Sequence, residues 1–380
     1  MKTPIYLDYN ATTPIDKRVA DAMLPYLYDV FGNPSSSHPY GVQAKLVLET
    51  ARRRLASMLR ALPDEIIFTG GGTESNNLAI RGYCLKNRLK GNHIIASAIE
   101  HPAVLDVCSS LVEVGFELTI LPVDQYGMVN PQDLHSALRS DTILVSIMHA
   151  NNEVGTIQPI QELTRITHQA GAAFHCDAAQ SVGKIAVDVD EMGVDLLSVA
   201  GHKLYAPKGV GALYIRTGIQ IEKITQGAGH ERNLRPGTEN VLEIAGLGKA
   251  AEIVMQDLDI NNHHFREMRD RLQLGIITNV GGDTSRVNGH PSLRLPNTLS
   301  ISFFNQQANV LLSRISAQVA ASAGAACHAD QINISNVLAA MNVPVEWAMG
   351  TLRFSVGRET TMEEIDFAIQ IISQIVKKIY

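Results

Sequence analysis

Between residues 65 and 200, short β-branched apolar runs alternate with helix-length amphipathic stretches, and this alternation constrains the fold more than any other feature. Strands are expected over 65–69, 93–97, 118–121, 142–148, 173–177 and 196–200, with helices over 74–86, 103–114, 131–138 and 160–170. A βαβα series of this kind predicts an α/β architecture, a mostly parallel central sheet flanked by helices on both faces. The unbroken apolar run Ile143-Leu-Val-Ser-Ile-Met148 reads as a strand buried on both faces. The pattern breaks over 256–264, where Asp-Leu-Asp-Ile-Asn-Asn-His-His interrupts it. Beyond the break come a helix, a strand near 299–304 and a C-terminal helix from about Thr361, whose Ile365, Ala368, Ile369, Ile372, Ile375 and Val376 share one face. The expected organisation is a large domain over 14–257 and a smaller α/β domain made of 1–13 and 258–380, which carries Cys327. No pattern displays the pairing of the first dozen residues with that second domain.

The charge balance excludes some partners. A formal net charge of -6 without basic runs gives no electrostatic footprint for nucleic acid or anionic lipid. The four cysteines are scattered, with no CxxC pair, so a reducing compartment is expected and neither a disulfide framework nor a metal site is. The N-terminus lacks the apolar core of a signal peptide, and no apolar run is long enough to span a bilayer. These features together predict a cytoplasmic protein of enzyme size with no membrane association.

Five segments carry chemistry. Thr69-Gly-Gly-Gly-Thr-Glu-Ser-Asn-Asn77 follows a strand and opens a helix, so its backbone N–H groups and hydroxyls suit an anion; the plainer reading is a glycine-rich turn. Asp177 ends an apolar strand, where ligand-contacting residues of open α/β sheets lie, or else it caps the next segment. Lys203, in Gly-His-Lys-Leu-Tyr-Ala-Pro-Lys-Gly, follows a strand among small residues; partial burial would lower its pKa and suit it to a Schiff base, whereas most lysines are solvated charges. Cys327 stands in a run of small residues that reads as a flexible, accessible loop, where His328 could raise its thiolate fraction; the alternative is a buried structural cysteine. Arg353 and Arg358 can each offer a bidentate fork to a carboxylate, one of them being structural. Jointly these residues fit the needs of pyridoxal 5'-phosphate (PLP) acting on an amino acid, which are a lysine, an acid for the ring nitrogen and a phosphate site. Cys327 adds a nucleophile that a plain aminotransferase does not require.

At these residues the chain resembles the class V aminotransferase group of PLP fold type I, and within it the cysteine desulfurases and selenocysteine lyases. The motifs Tyr6-Leu-Asp-Tyr-Asn-Ala-Thr-Thr-Pro14, Phe31-Gly-Asn-Pro-Ser-Ser-Ser-His38, Glu100-His101, Asn151-Asn-Glu-Val-Gly155, Asp177-Ala-Ala-Gln-Ser181 and Leu352-Arg-Phe-Ser-Val-Gly-Arg358 occur in the family's order. The resemblance implies that Lys203 carries the cofactor and moves the proton on the substrate Cα. His101 would stack on the ring, Asp177 would pair with its nitrogen, and Gln180 would reach its hydroxyl. Asn152 would touch cofactor or substrate. Gly72, Thr73 and His202 would hold the phosphate, with Thr238 added from the partner of a homodimer. Asn33 and Arg353 would bind the substrate carboxylate, and Cys327 would take the chalcogen on its way to an acceptor protein. Ala200 departs from the serine that many desulfurases have there, which removes one hydroxyl donor. Around the cysteine, Gly324-Ala-Ala-Cys-His-Ala-Asp330 resembles the selenocysteine lyases more than the desulfurases, and with Ala200 it makes L-selenocysteine the expected substrate and L-cysteine the alternative.

Overall fold

The computed structural model describes residues 3–328 and 331–378, with backbone alone at 325–328 and 331–333. Seven strands form the large sheet, in the order Ile66–Thr69, Gly211–Ile215, Leu196–Ala200, Ala173–Asp177, Thr142–Ser146, His93–Ser97 and Glu117–Leu121. Only Gly211–Ile215 runs against the rest. The inner strands are buried along their whole length, as their unbroken apolar runs require once helices cover both faces. The helix Gly72–Asn87 packs on one such face through Leu78, Ala79 and Ile80. On the other face the core gathers Phe174, Cys176, Leu197 and Tyr214 with Leu48 and Leu55 of the Pro39–Leu59 helix.

A second, antiparallel sheet has the order Ser322–Ala323, Thr351–Ser355, Thr298–Phe303 and Ser285–Asn288. Its core is separate and is built on Phe303, Phe354, Phe265 and the apolar face of the C-terminal helix Met362–Lys377. Thr361 and Glu364 close a capping box at the start of that helix. The N-terminal arm joins this side: Ile5–Tyr6 pairs in parallel with Val319–Ala320, Asp8 bridges Ser355, and Leu7 enters the second core.

The expected break over 256–264 does not interrupt the backbone. One helix, Val241–Val280, runs through it for 40 residues. Ile244, Leu247 and Val254 lie in the first core, and Phe265, Met268, Leu272 and Ile276 in the second. Packing at both ends overrides the low helix propensity of the Asp and Asn residues between them. The loop expected around Cys327 is also replaced, by a short antiparallel hairpin in which Ala325–His328 pairs with Gln331–Ile334. The side chains of Cys327 and His328, and Ala329 and Asp330 altogether, lie outside the described residues. No helix among the described residues is long and apolar enough to cross a membrane.

Candidate active site

The strands Ala173–Asp177 and Leu196–Ala200 are parallel neighbours, so Asp177 and the Gly201–Lys203 turn emerge at the same sheet edge. The glycine turn after Ile66–Thr69 reaches that edge too. Gly71 there has a φ of 143°, a conformation open to glycine and strained for other residues, and it starts the helix Gly72–Asn87. These pieces enclose a cavity of about 410 Å³. Of the sequence-predicted residues, Gly72, Thr73, His101, Asn152 and Asp177 line it, as do Gln180, His202, Lys203 and Arg353.

Lys203 Nζ donates to the Asn10 carbonyl and, at 2.8 Å, to the Ala11 carbonyl. Burial, and then the Arg353 charge, press its pKa down from 10.5 to about 8. Asp177 accepts from Asn76 Nδ2 at 2.8 Å and from the Ala179 amide at 2.9 Å, which fixes both of its oxygens. His101 caps the helix Pro102–Val112, its Nδ1 accepting from the Ala103 amide at 3.1 Å. Burial lowers the His101 pKa, against the pull of Asp177. The neighbouring Glu100 is buried and accepts from Ser97 Oγ and the Met148 amide, and desolvation raises its pKa to about 8. His202 Nδ1 meets Thr12 Oγ1 at 3.1 Å, and burial lowers its pKa to about 4, so it is a neutral donor or acceptor near the turn. Arg353, on Thr351–Ser355, is held by Asp8 Oδ1 at 2.8 Å and the Asn152 carbonyl at 3.1 Å.

This donor set fits PLP. Lys203 is an amine with a pKa of about 8, Asp177 is an acid at a strand end, and the first turn of Gly72–Asn87 presents the N–H groups of a helix N-terminus, which suit a phosphate. Asn76 Oδ1 and Arg353 Nε are buried at this cavity without a partner among the described residues, which suits a polar ligand lying between them. Ala200 brings only a methyl group to the helix start: its Cβ lies 3.2 Å from where a Cβ on Gly72 would sit.

Two expected residues lie elsewhere in the same chain. Asn33 is exposed and does not line the cavity; its side chain accepts from the Ser35 amide at 2.9 Å in a local turn. Thr238 lines a neighbouring cavity with Arg235, Glu231 and Phe68. Asn10, Asn76, Glu100 and Lys184 take no role from the sequence alone. Asn10 and Asn76 sit inside quoted motifs, yet nothing local marks them: Asn10 bonds Ser355 across 345 positions, and Asn76 bonds Asp177 across 101.

Residues 5–367 match the aminotransferase class-V family. The chain is 48% identical to cysteine desulfurase IscS of Dictyoglomus turgidum, over 100% of this chain and 96% of that protein. It is 46% identical to cysteine desulfurase IscS of Methanosarcina thermophila, over 99% and 92% of the two chains. A solved structure described as a NifS-like protein superposes with a TM-score of 0.93 at 37% identity, covering 99% of this chain and 100% of that one.

Proposed function

Because this chain belongs to the class-V aminotransferase family, and is therefore a PLP-dependent enzyme, we propose that it is a cysteine desulfurase that converts L-cysteine to L-alanine and leaves the sulfur on Cys327. The supporting observation is the identity of 48% along the whole chain to a protein named for that activity. It shifts the leading reading from selenocysteine, which the residues around Cys327 favoured, to cysteine.

In this reading Arg353 binds the substrate carboxylate, pre-aligned by Asp8 and Asn152. Asp177 holds the ring nitrogen, and the Gly72–Thr73 turn with His202 holds the phosphate. When bound, PLP supplies an electron sink for the pair released at Cα. Lys203 Nζ takes the Cα proton and returns it, a task suited to an amine with a pKa of about 8. Cys327 Sγ attacks the substrate sulfur, so that an S–S bond forms as the C–S bond breaks; the C–S electron pair stays with Cβ, which takes up a proton to become the methyl group of alanine, and an acceptor protein takes the sulfur next. A free thiol has a pKa of about 8.5, so Cys327 must shed its proton in step with the attack.

We infer two domains, 14–257 and 1–13 with 258–380, supported by the second apolar core, whose residues all fall in the latter; Val337, Leu338, Met341, Val343 and Ala348 pack instead into the first core, and Val241–Val280 crosses the boundary. We infer a homodimer as well. Thr238 stands outside the Lys203 cavity, so a second copy would have to bring it there, and Leu24, Leu27, Tyr28, Phe31 and Leu46 are exposed apolar side chains open to such a contact.

The test is alanine release from L-cysteine and L-selenocysteine, side by side, by the PLP-loaded protein and its Cys327→Ala variant. Turnover of cysteine that the variant loses is the expected result. Turnover of selenocysteine alone would restore the lyase reading, and alanine from neither would remove both.

A further inference from the structure

Lys184 is an amine that the proposed chemistry does not use, yet it is only 4% exposed. Its Nζ donates to two side-chain amide oxygens: Gln180 Oε1 at 2.6 Å and Asn10 Oδ1 at 3.4 Å. Burial, with Lys203 and Arg353 as the nearby like charges, drives its pKa well below 10.5. An amine buried on neutral partners costs stability, since a leucine or methionine would fill the space without desolvation.

The geometry around Gln180 supplies a reason to keep it. Gln180 Nε2 donates to the Asn10 carbonyl at 3.0 Å, and Lys203 Nζ donates to that same carbonyl. A carbonyl has no proton to give, so Asn10 favours the nitrogen end of the Gln180 amide, but Lys203 competes for that same carbonyl and the contact alone does not hold the amide. The oxygen end then faces Lys184, and the second N–H of Nε2 is left for the cavity that Gln180 lines. Asn10 is itself pinned, with its Nδ2 on Thr298 Oγ1 at 2.8 Å and its Oδ1 accepting from Asn297 at 3.0 Å. The amide therefore has one orientation, set from both ends.

We propose that Lys184 is a positioning residue: together with the Asn10 carbonyl it locks the Gln180 amide so that an N–H, and not the carbonyl oxygen, faces the cofactor ring. The proposal rests on PLP occupying this cavity and not on which amino acid is the substrate. An N–H aimed at a ring oxygen favours that oxygen's anionic form and so sets the pH at which the bound chromophore changes colour.

The experiment is a pH titration of the visible absorbance of the PLP-loaded protein, in wild type, Lys184→Met, Lys184→Gln, Gln180→Leu and the Lys184→Met/Gln180→Leu double variant. Losing the N–H makes the ring oxygen hold its proton to higher pH. The midpoint in Lys184→Met should therefore rise by about half a unit or more, the roughly two- to tenfold change that one hydrogen bond commands. Gln180→Leu should give a similar rise, and the double variant no further one, because both act through the same amide. Lys184→Gln keeps a side-chain N–H donor and should titrate near wild type. An unmoved midpoint in Lys184→Met, or additive shifts in the double variant, would overturn the proposal. Should Lys184→Met fail to fold, Lys184→Ala takes its place: a rise like that of Gln180→Leu supports the proposal, and an unmoved midpoint overturns it. A wild-type protein with no visible band after loading would instead remove the cofactor reading beneath it.

Discussion

The amine of Lys203 should react with PLP far below the pH at which a solvated lysine does. Its pKa is depressed from 10.5 to about 8, mainly by burial. At pH 7 a group with that pKa is about 10% neutral, whereas an unperturbed lysine is about 0.03% neutral, a ratio of about 300. Only the neutral amine attacks an aldehyde, so capture of PLP by cofactor-free protein should follow the neutral fraction. The assay is the rate at which the lysine-bound absorbance band appears after mixing, measured from pH 6 to pH 10. The rate should climb about tenfold per pH unit and level off near pH 8. A rate still climbing at pH 9.5 would show that burial does not tune this amine. Stability carries the same signature. Between about pH 8 and 10.5 the unfolded chain holds a proton at this position that the folded chain has lost, so the stability of the cofactor-free protein should rise with pH across that window. The full gain is about 3 kcal/mol, and Lys203→Met should abolish it.

Glu100 gives the opposite slope. Its pKa is raised to about 8, so the folded chain keeps a proton that the unfolded chain loses above about pH 4.5, and stability falls as pH rises through that window. Glu100→Gln retains the acceptor for Ser97 and Met148 and should raise Tm at pH 8 while changing it little at pH 5. Arg52 and Glu231 form a buried bidentate pair at 2.7 and 2.9 Å, and Glu231 also accepts from the Phe68 amide just before the glycine turn. Glu231→Ala should therefore cost about 3–5 kcal/mol in denaturant unfolding and weaken PLP retention. Asp177→Asn keeps an acceptor oxygen for the Ala179 amide and can donate to Asn76 Oδ1, which is without a partner among the described residues, once the Asn76 amide turns over; it should lower kcat by on the order of 100-fold while leaving Tm close to wild type.

The parallel strands were legible because burial on both faces writes itself as an unbroken apolar run, as in Thr142–Ser146 and Leu196–Ala200. Asp177 and Lys203 were legible because strand ends are where an open sheet meets ligand. The continuity of Val241–Val280 was not, since the Asp, Asn and His residues at its middle read as a break while the helix is held from its two ends. The antiparallel strand Gly211–Ile215 was hidden in the glycine-rich run that follows Lys203. Asn10 and Lys184 escaped for a different reason. Their importance lies in the partners they meet, Asn10 at Thr298 and Lys184 at Asn10, which stand 288 and 174 positions away.

The parallel pairing of Ile5–Tyr6 with Val319–Ala320 has a consequence for biosynthesis. The carbonyls of Asn10 and Ala11 that hold Lys203, and the Asp8 carboxylate that holds Arg353, all belong to an arm anchored on a strand made near the end of translation. At about 5–20 residues per second, the arm waits tens of seconds after its own synthesis for that anchor. The large sheet, complete by Ile215, can fold on the ribosome in the meantime. Until Val319–Ala320 is made, the nascent chain has a lysine at the sheet edge but no closed pocket around it, so capture of the cofactor belongs to the last stage of folding.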